Sequence, residues 1–320
     1  MTHRTFLRSL ALLAFVFSTS SQLLDAATRK FIAADSSMKR IAIINENGDT
    51  EWEHQIGPLH DLQVLDNGNL LIQDSWTHVI ELERDDRKIV WQYDAKQSPG
   101  NEDRKIEIHA FQRLANGNTM VAESGRGRIV EVDVQGKIVK ELKLQITNPH
   151  PHRDTRLARK LDSGHYLVCH EGDGAVREYD GDGKVVWEYE VPLFGRERRN
   201  GHGVEAFGNQ CFSALRLTNG NTLIGTGNGH SVIEVTPKRE IVWKLEQADL
   251  PGIQLAWVTT LQVLPSGNIV IGNCHAGPEN PQLIEVTRDK KVIWKFQDFE
   301  RFGNALTNSQ ILSVDDEALD

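Results

Sequence analysis

Four histidines, His60, His109, His152 and His202, sit at or near the starts of β-rich apolar runs. Imidazoles brought to one opening can bind a metal, exchange protons near neutral pH or attack an electrophile. With Arg153 as a cationic partner for a developing negative charge, they form the candidate catalytic group. Asp61, Trp76, Arg126, Asp154, His170, Trp257 and His275 are the candidate ligand-binding residues. No metal ligand set is expected among them, and no complete catalytic constellation can be named from spacing. The loops Glu171-Gly-Asp-Gly174 and Asp180-Gly-Asp-Gly183 look like calcium loops but lack the later ligands and the distal Glu. Turn chemistry accounts for the second.

Residues so far apart in the chain meet only if the elements between them bring them together, and those elements repeat. Leu65-Asp-Asn-Gly-Asn-Leu-Leu-Ile72 recurs as Leu114 to Val121, Leu161 to Val168, Leu217 to Ile224 and Leu264 to Ile271. Each copy places a two-residue Asn-Gly or Ser-Gly turn between β-rich runs, which signals a hairpin. A second phrase, Val/Ile-x-Glu, a turn, then Lys-Ile/Val-Val-Trp, follows each copy and also occupies Ile41 to Trp52. Each unit therefore reads as four short antiparallel strands, A to D. The fold class is all-β, a six-bladed β-propeller, with radial repetition protecting the strand edges. The first unit lacks strand A, and the leftover strand Ser309 to Val314 is expected to complete it and close the ring.

From turn Gly to terminal Trp position the separation is 23 in four units, Gly68 to Trp91, Gly117 to Lys140, Gly164 to Trp187 and Gly220 to Trp243. Length varies instead in the D to A connections and in one B to C loop, which emerge on the same, top face. Variable loops on a rigid scaffold usually carry function. Strand A starts there with His60-Asp61, His109, His152-Arg153-Asp154, Asn209-Gln210, Trp257 with Thr259, and Asn308. The repeated Trp52, Trp91, Trp187, Trp243 and Trp294 are read as inter-blade packing, with Lys140 loosening the third unit.

Arg4 and Arg8, the apolar stretch Leu10 to Phe17 and the small residues ending at Ala27 have the order of a secretory signal peptide. The expected organisation is a signal peptide at 1–27 and a single propeller domain at 28–320, exported to the periplasm or outside the cell. No membrane span is expected after cleavage, and the exported protein is expected to be a monomer. The formal charge of -9 argues against nucleic acid as a partner. The three cysteines, Cys169, Cys211 and Cys274, leave at least one unpaired, and the absence of CxxCH excludes covalent c-type haem.

The Gly-Lys-x-x-Trp phrase in Asp180 to Trp187 and Gly136-Lys-Ile-Val resembles the repeat of pyrroloquinoline-quinone-like β-propellers. The quinone enzymes of that group have eight blades and an adjacent Cys pair; no two cysteines adjoin here, so neither that quinone nor another cofactor is expected. His60 to Ile72 followed by Val79 to Glu83 and Ile89 to Tyr93 is similar to the repeat of secreted bacterial arylsulfotransferases. That resemblance implies sulfuryl transfer through a channel histidine, with Arg153 or Arg126 as oxyanion partner. The leading expectation is an exported propeller that binds a ligand or protein partner on its top face, without established catalysis. Arylsulfotransferase-like chemistry is the alternative, and a metal-dependent hydrolase or lactonase is the third reading.

Overall fold

The computed structural model describes residues 28–319, so the expected signal peptide at 1–27 lies outside the described residues. Six antiparallel sheets stand around a central channel. Blade 2 comprises Leu62–Val64, Leu70–Gln73, His78–Leu82 and Ile89–Asp94. Blade 3 comprises Glu107–Arg113, Thr119–Ser124, Arg128–Val132 and Ile138–Lys143. Blade 4 comprises Ala158–Lys160, Tyr166–His170, Ala175–Tyr179 and Val185–Glu190, and blade 5 Ser213–Arg216, Thr222–Gly225, Ser231–Val235 and Ile241–Glu246. Blade 6 comprises Trp257–Val263, Ile269–Cys274, Leu283–Val286 and Val292–Phe296.

Blade 1 closes the ring as its halves imply. Leu306–Val314 pairs with Arg29–Asp35, aligning Ser309 with Ala33 and Gln310 with Ile32, while Arg40–Ile44 and Thr50–Gln55 form the outer half. The expected four strands become five there, because Glu317–Ala318 folds back on Ser313 and Val314.

The core lies between blades. Strands B and C bury both faces, so one apolar cluster forms in each inter-blade layer. Ile32, Ile41 and Ile43 of blade 1, for example, meet Leu62, Ile72 and Ile80 of blade 2. The outer-strand tryptophans lock these layers. Trp52, Trp91, Trp187 and Trp243 each donate their indole N–H to a backbone carbonyl of the following blade, at Arg84, Asp133, Pro237 and Arg288. Lys140, at the Trp position of blade 3, instead places its ammonium over the Tyr166 ring of blade 4. The Glu of each Val/Ile-x-Glu phrase has a matching role: Glu81, Glu131, Glu178, Glu234 and Glu285 pair with Arg113, Lys160, Arg216, Arg288 and Arg29 of the next blade. The second Asn of the hairpin holds several of these carboxylates, as Asn69 does for Glu81 at 2.7 Å. The repeated polar letters are thus the joints between blades.

Inside the channel, the side-chain oxygens of Gln63, Gln112, Gln262 and Gln310 each accept the backbone N–H of the next blade's innermost strand. Arg159 and Leu215 occupy the corresponding places in blades 4 and 5. This ring fixes the axial height of the residues above it.

Candidate functional site in the top-face cavity

Counting eight residues back from each hairpin glycine gives His60, His109, Arg156, Phe212 and Thr259. Blade 1 supplies Thr307, three residues before Gln310, as His60 lies three before Gln63. Except for His109, which lies beneath His60, these residues line a cavity of about 780 Å³ on the top face. The first residue of this ring in blade 4 is therefore Arg156, and in blade 5 Phe212. His152-Arg153-Asp154 and Asn209-Gln210 belong to the connections above it.

His60, His109 and His152 converge. Their ring centroids are 4.6, 5.6 and 5.0 Å apart, and Trp76 packs against all three. A β-bulge between Ile108 and Ala110 sets His109 apart from the regular pairing, a common way to re-aim a side chain. Gln73, wholly buried, accepts the His60 backbone N–H and donates to the Ile108 carbonyl, tying two blades together beneath the rings.

Polar contacts order the imidazoles. Glu107 Oε2 lies 3.3 Å from His109 Nε2 and 2.5 Å from His152 Nδ1, while Lys105 reaches the other carboxylate oxygen at 2.8 Å. Arg156 Nη1 lies 2.5 Å from His109 Nδ1 and 3.4 Å from His60 Nδ1, and its Nε pairs with Glu171. The two Nδ1 atoms of His60 and His109 are 2.5 Å apart. Burial, with the positive Arg156 alongside, pushes His109 down to about 3. Burial first, then His109 and Arg156, holds His60 well below the usual imidazole range. Burial pushes the Glu107 carboxyl upward, but hydrogen bonds from His109, His152 and Lys105 outweigh it and hold the group low.

Glu107, His109 and His152 are also the group whose geometry could hold a metal, with ligand atoms within 4.8 Å of one another. Their hydrogen-bond partners fit a proton-ordering network better. A neutral His109 that gave Nε2 to a metal would carry its proton on Nδ1, facing the donor-only guanidinium of Arg156. Lys105 also neutralises the carboxylate.

The remaining expected site residues divide. His202, Trp257 and His275 form a second aromatic group at the cavity wall, with His202 stacked on Trp257 at 5.8 Å and 20° and meeting His275 at 5.8 Å. His202 therefore does not join the other three histidines. Arg153 lines the cavity, and its buried Nε has no partner. Asp61, Asp154 and His170 turn into the scaffold. Asp61 grips Arg159 through 2.7 and 2.8 Å contacts and accepts the Phe111 N–H. Asp154 accepts the N–H groups of Gly125 and His150, and His170 bridges the Asp154 carbonyl and the Tyr179 hydroxyl. Arg126 is outside the lining and lies against Gly100. The calcium-like loops are likewise internal clamps: Asp173 holds Thr147, Asn148 and Arg177, and Asp180 caps its own hairpin.

Arg156 and Glu107 were absent from the candidate residues. The constant offset from the hairpin glycine was available to find Arg156, while Glu107 becomes visible only through the bulge and the neighbouring connection. The three cysteines are all reduced and buried, and no helix among the described residues is long and apolar enough to cross a membrane.

Fold and cavity define a six-bladed propeller with a polar top-face site. Residues 37–296 match the family described as outer membrane protein assembly factor BamB, and the chain belongs to that family. Among solved structures it is similar to a Bacteroides caccae protein of unknown function, with 24% identity, a TM-score of 0.72, and 87% of this chain and 97% of that chain covered. It is also similar to a streptogramin B lyase, with 13% identity, a TM-score of 0.57, and 85% and 83% covered. A catalytically inactive virginiamycin B lyase from Staphylococcus aureus with quinupristin shares 12% identity, with a TM-score of 0.55 and 86% of each chain covered. These likenesses are of fold. No curated protein matches the sequence.

Proposed function

We propose that this protein is an exported ligand-binding propeller whose top-face cavity takes a small anion. The charge arrangement in the lining carries the reading. Glu171 and Asp173 are engaged with Arg156 and Arg177, whereas Arg153, Arg198 and Arg199 have no ion-pair partner among the described residues. A locally positive cavity in a chain of formal charge -9 concentrates anions by focusing the field between low-dielectric walls. Titrating the purified protein with succinate by calorimetry tests this: saturable binding weakened by Arg153→Met is expected, and no binding, or binding indifferent to Arg153→Met, defeats it. Calorimetry reads the site without assuming turnover.

The segment 1–27 supports export, and the family description, an assembly factor, is compatible with a protein partner on the same face. Arylsulfotransferase-like chemistry is the second reading, favoured by a neutral imidazole at His60 beside Arg156 and Arg153. Turnover of a chromogenic aryl sulfate with a phenol acceptor, lost in His60→Ala, would establish it.

A further inference from the structure

The proton inventory of the cavity floor narrows the anion to a chemical class. Arg156 only donates, and an ionised Glu107 only accepts. His109 must therefore carry its proton on Nε2, toward Glu107, and offer its Nδ1 lone pair to Arg156. His60 Nδ1 faces that same lone pair at 2.5 Å and the Arg156 Nη1 donor only at 3.4 Å, so the shorter contact decides and the neutral His60 ring carries its proton on Nδ1. Its remaining nitrogen, Nε2, is left as a bare acceptor on a ring that lines the cavity. A simple anion cannot satisfy it, because an anion brings only acceptors; a hydroxyl group can.

The walls add two features. Among the lining carboxamides, Asn209, Gln210 and Asn228 are held by Val191, Arg198, Glu171 and one another, leaving the Asn148 oxygen and the Asn200 carboxamide unpaired among the described residues. The indole of Trp257 lies in the wall with the flat His202 ring stacked on it, the place a pyranose face would occupy. The buried hydroxyl of Thr259, also in the lining, has no partner in the protein.

Resting on the anion-binding reading above, we propose that the ligand is an acidic carbohydrate. Its carboxylate lies between Arg153 and Arg199, one hydroxyl donates to His60 Nε2, and one ring face packs on Trp257 in place of His202.

Calorimetry on the whole purified protein with digalacturonate, lactose and succinate tests this. Digalacturonate is expected to bind at least about tenfold more tightly than either of the others, the effect of satisfying buried polar groups that they leave unpaired. Succinate binding as tightly as digalacturonate would overturn the carbohydrate inference and leave the anion reading standing. Lactose binding as tightly would overturn both, as would no binding at all. In His60→Phe the preference for digalacturonate over succinate should collapse; a retained preference counts against the role of His60. Imidazole ¹⁵N shifts of the wild-type protein give a second readout independent of that variant. Protonated Nδ1 and bare Nε2 at His60 are expected, and the opposite tautomer would overturn the inference.

Discussion

Acidification should unfold this protein through its buried imidazoles before its carboxylates titrate. Six histidines are held below the ordinary value of about 6.5, His54 and His275 among them, and four strongly: His109 to about 3, His170 and His230 to about 4, and His60 well below the usual range. Burial is the first cause in each case, followed by a nearby positive group: Arg156 for His109, Arg177 for His170 and Arg196 for His230, while at His60 the His109 ring precedes Arg156. The unfolded chain binds protons at these sites as pH falls through about 6.5, whereas the folded chain does not. Their contribution to stability is therefore full above about pH 6.5 and is lost toward the folded values. Between about pH 6 and 5 the unfolded state should hold about 2.6 more protons at His109, His170 and His230 than the folded one, and at about 1.36 kcal/mol per proton per pH unit these three rings should lower stability by about 3.5 kcal/mol, with His60 adding to the loss in the same direction. That is a large fraction of the whole stability of many domains. Equilibrium urea unfolding at half-unit pH steps measures the slope, and His170→Asn should lower it by about one proton. A wild-type slope of about 1 kcal/mol per pH unit or less would refute the assignment of these rings as buried and neutral.

Three further outcomes follow from the joints and the floor. Trp187→Ala should cost about 3 kcal/mol in urea unfolding, because a buried ring and its bond to the Pro237 carbonyl are both lost. Lys140→Ala, which removes only a cation over the Tyr166 face, should cost about 1 kcal/mol or less. Glu107→Gln should destabilise by about 2 to 3 kcal/mol and change the ¹⁵N tautomer pattern of His109 and His152, since a carboxamide cannot accept from both rings and from Lys105. Cys169, Cys211 and Cys274 should resist a thiol reagent in the native protein and react together once urea unfolds it, because all three are buried and burial pushes the Cys169 and Cys274 thiols up.

The chain's repetition made the scaffold legible. Each Asn-Gly or Ser-Gly turn and each Lys-Ile/Val-Val-Trp phrase is a local instruction, since a tight turn with a glycine at positive φ and alternating β-branched residues dictate a hairpin wherever they occur. Blade number, the face carrying the variable loops, and closure by the C-terminal strand all follow from counting such instructions. The same count, carried eight residues upstream, contains the inner ring from His60 to Thr259.

What the site does with those residues was decided only in three dimensions. Asp61, Asp154 and His170 have the same chemical types as ligand-binding groups, yet each found its partner inside the scaffold, at Arg159, Gly125 and Tyr179. Arg153, expected as a cationic partner, was by contrast left lining the cavity with a buried Nε that has no partner. Repeats fix where strands begin and end because backbone conformation depends on nearby residues. Whether a charge is satisfied depends on partners from other blades, as when Glu107 of blade 3 meets His152 from the next connection and Arg156 of blade 4 meets His60 of blade 2. The sequence by itself determined a closed ring with imidazoles around its mouth; the tertiary structure alone decided which imidazole is left with a lone pair facing the cavity.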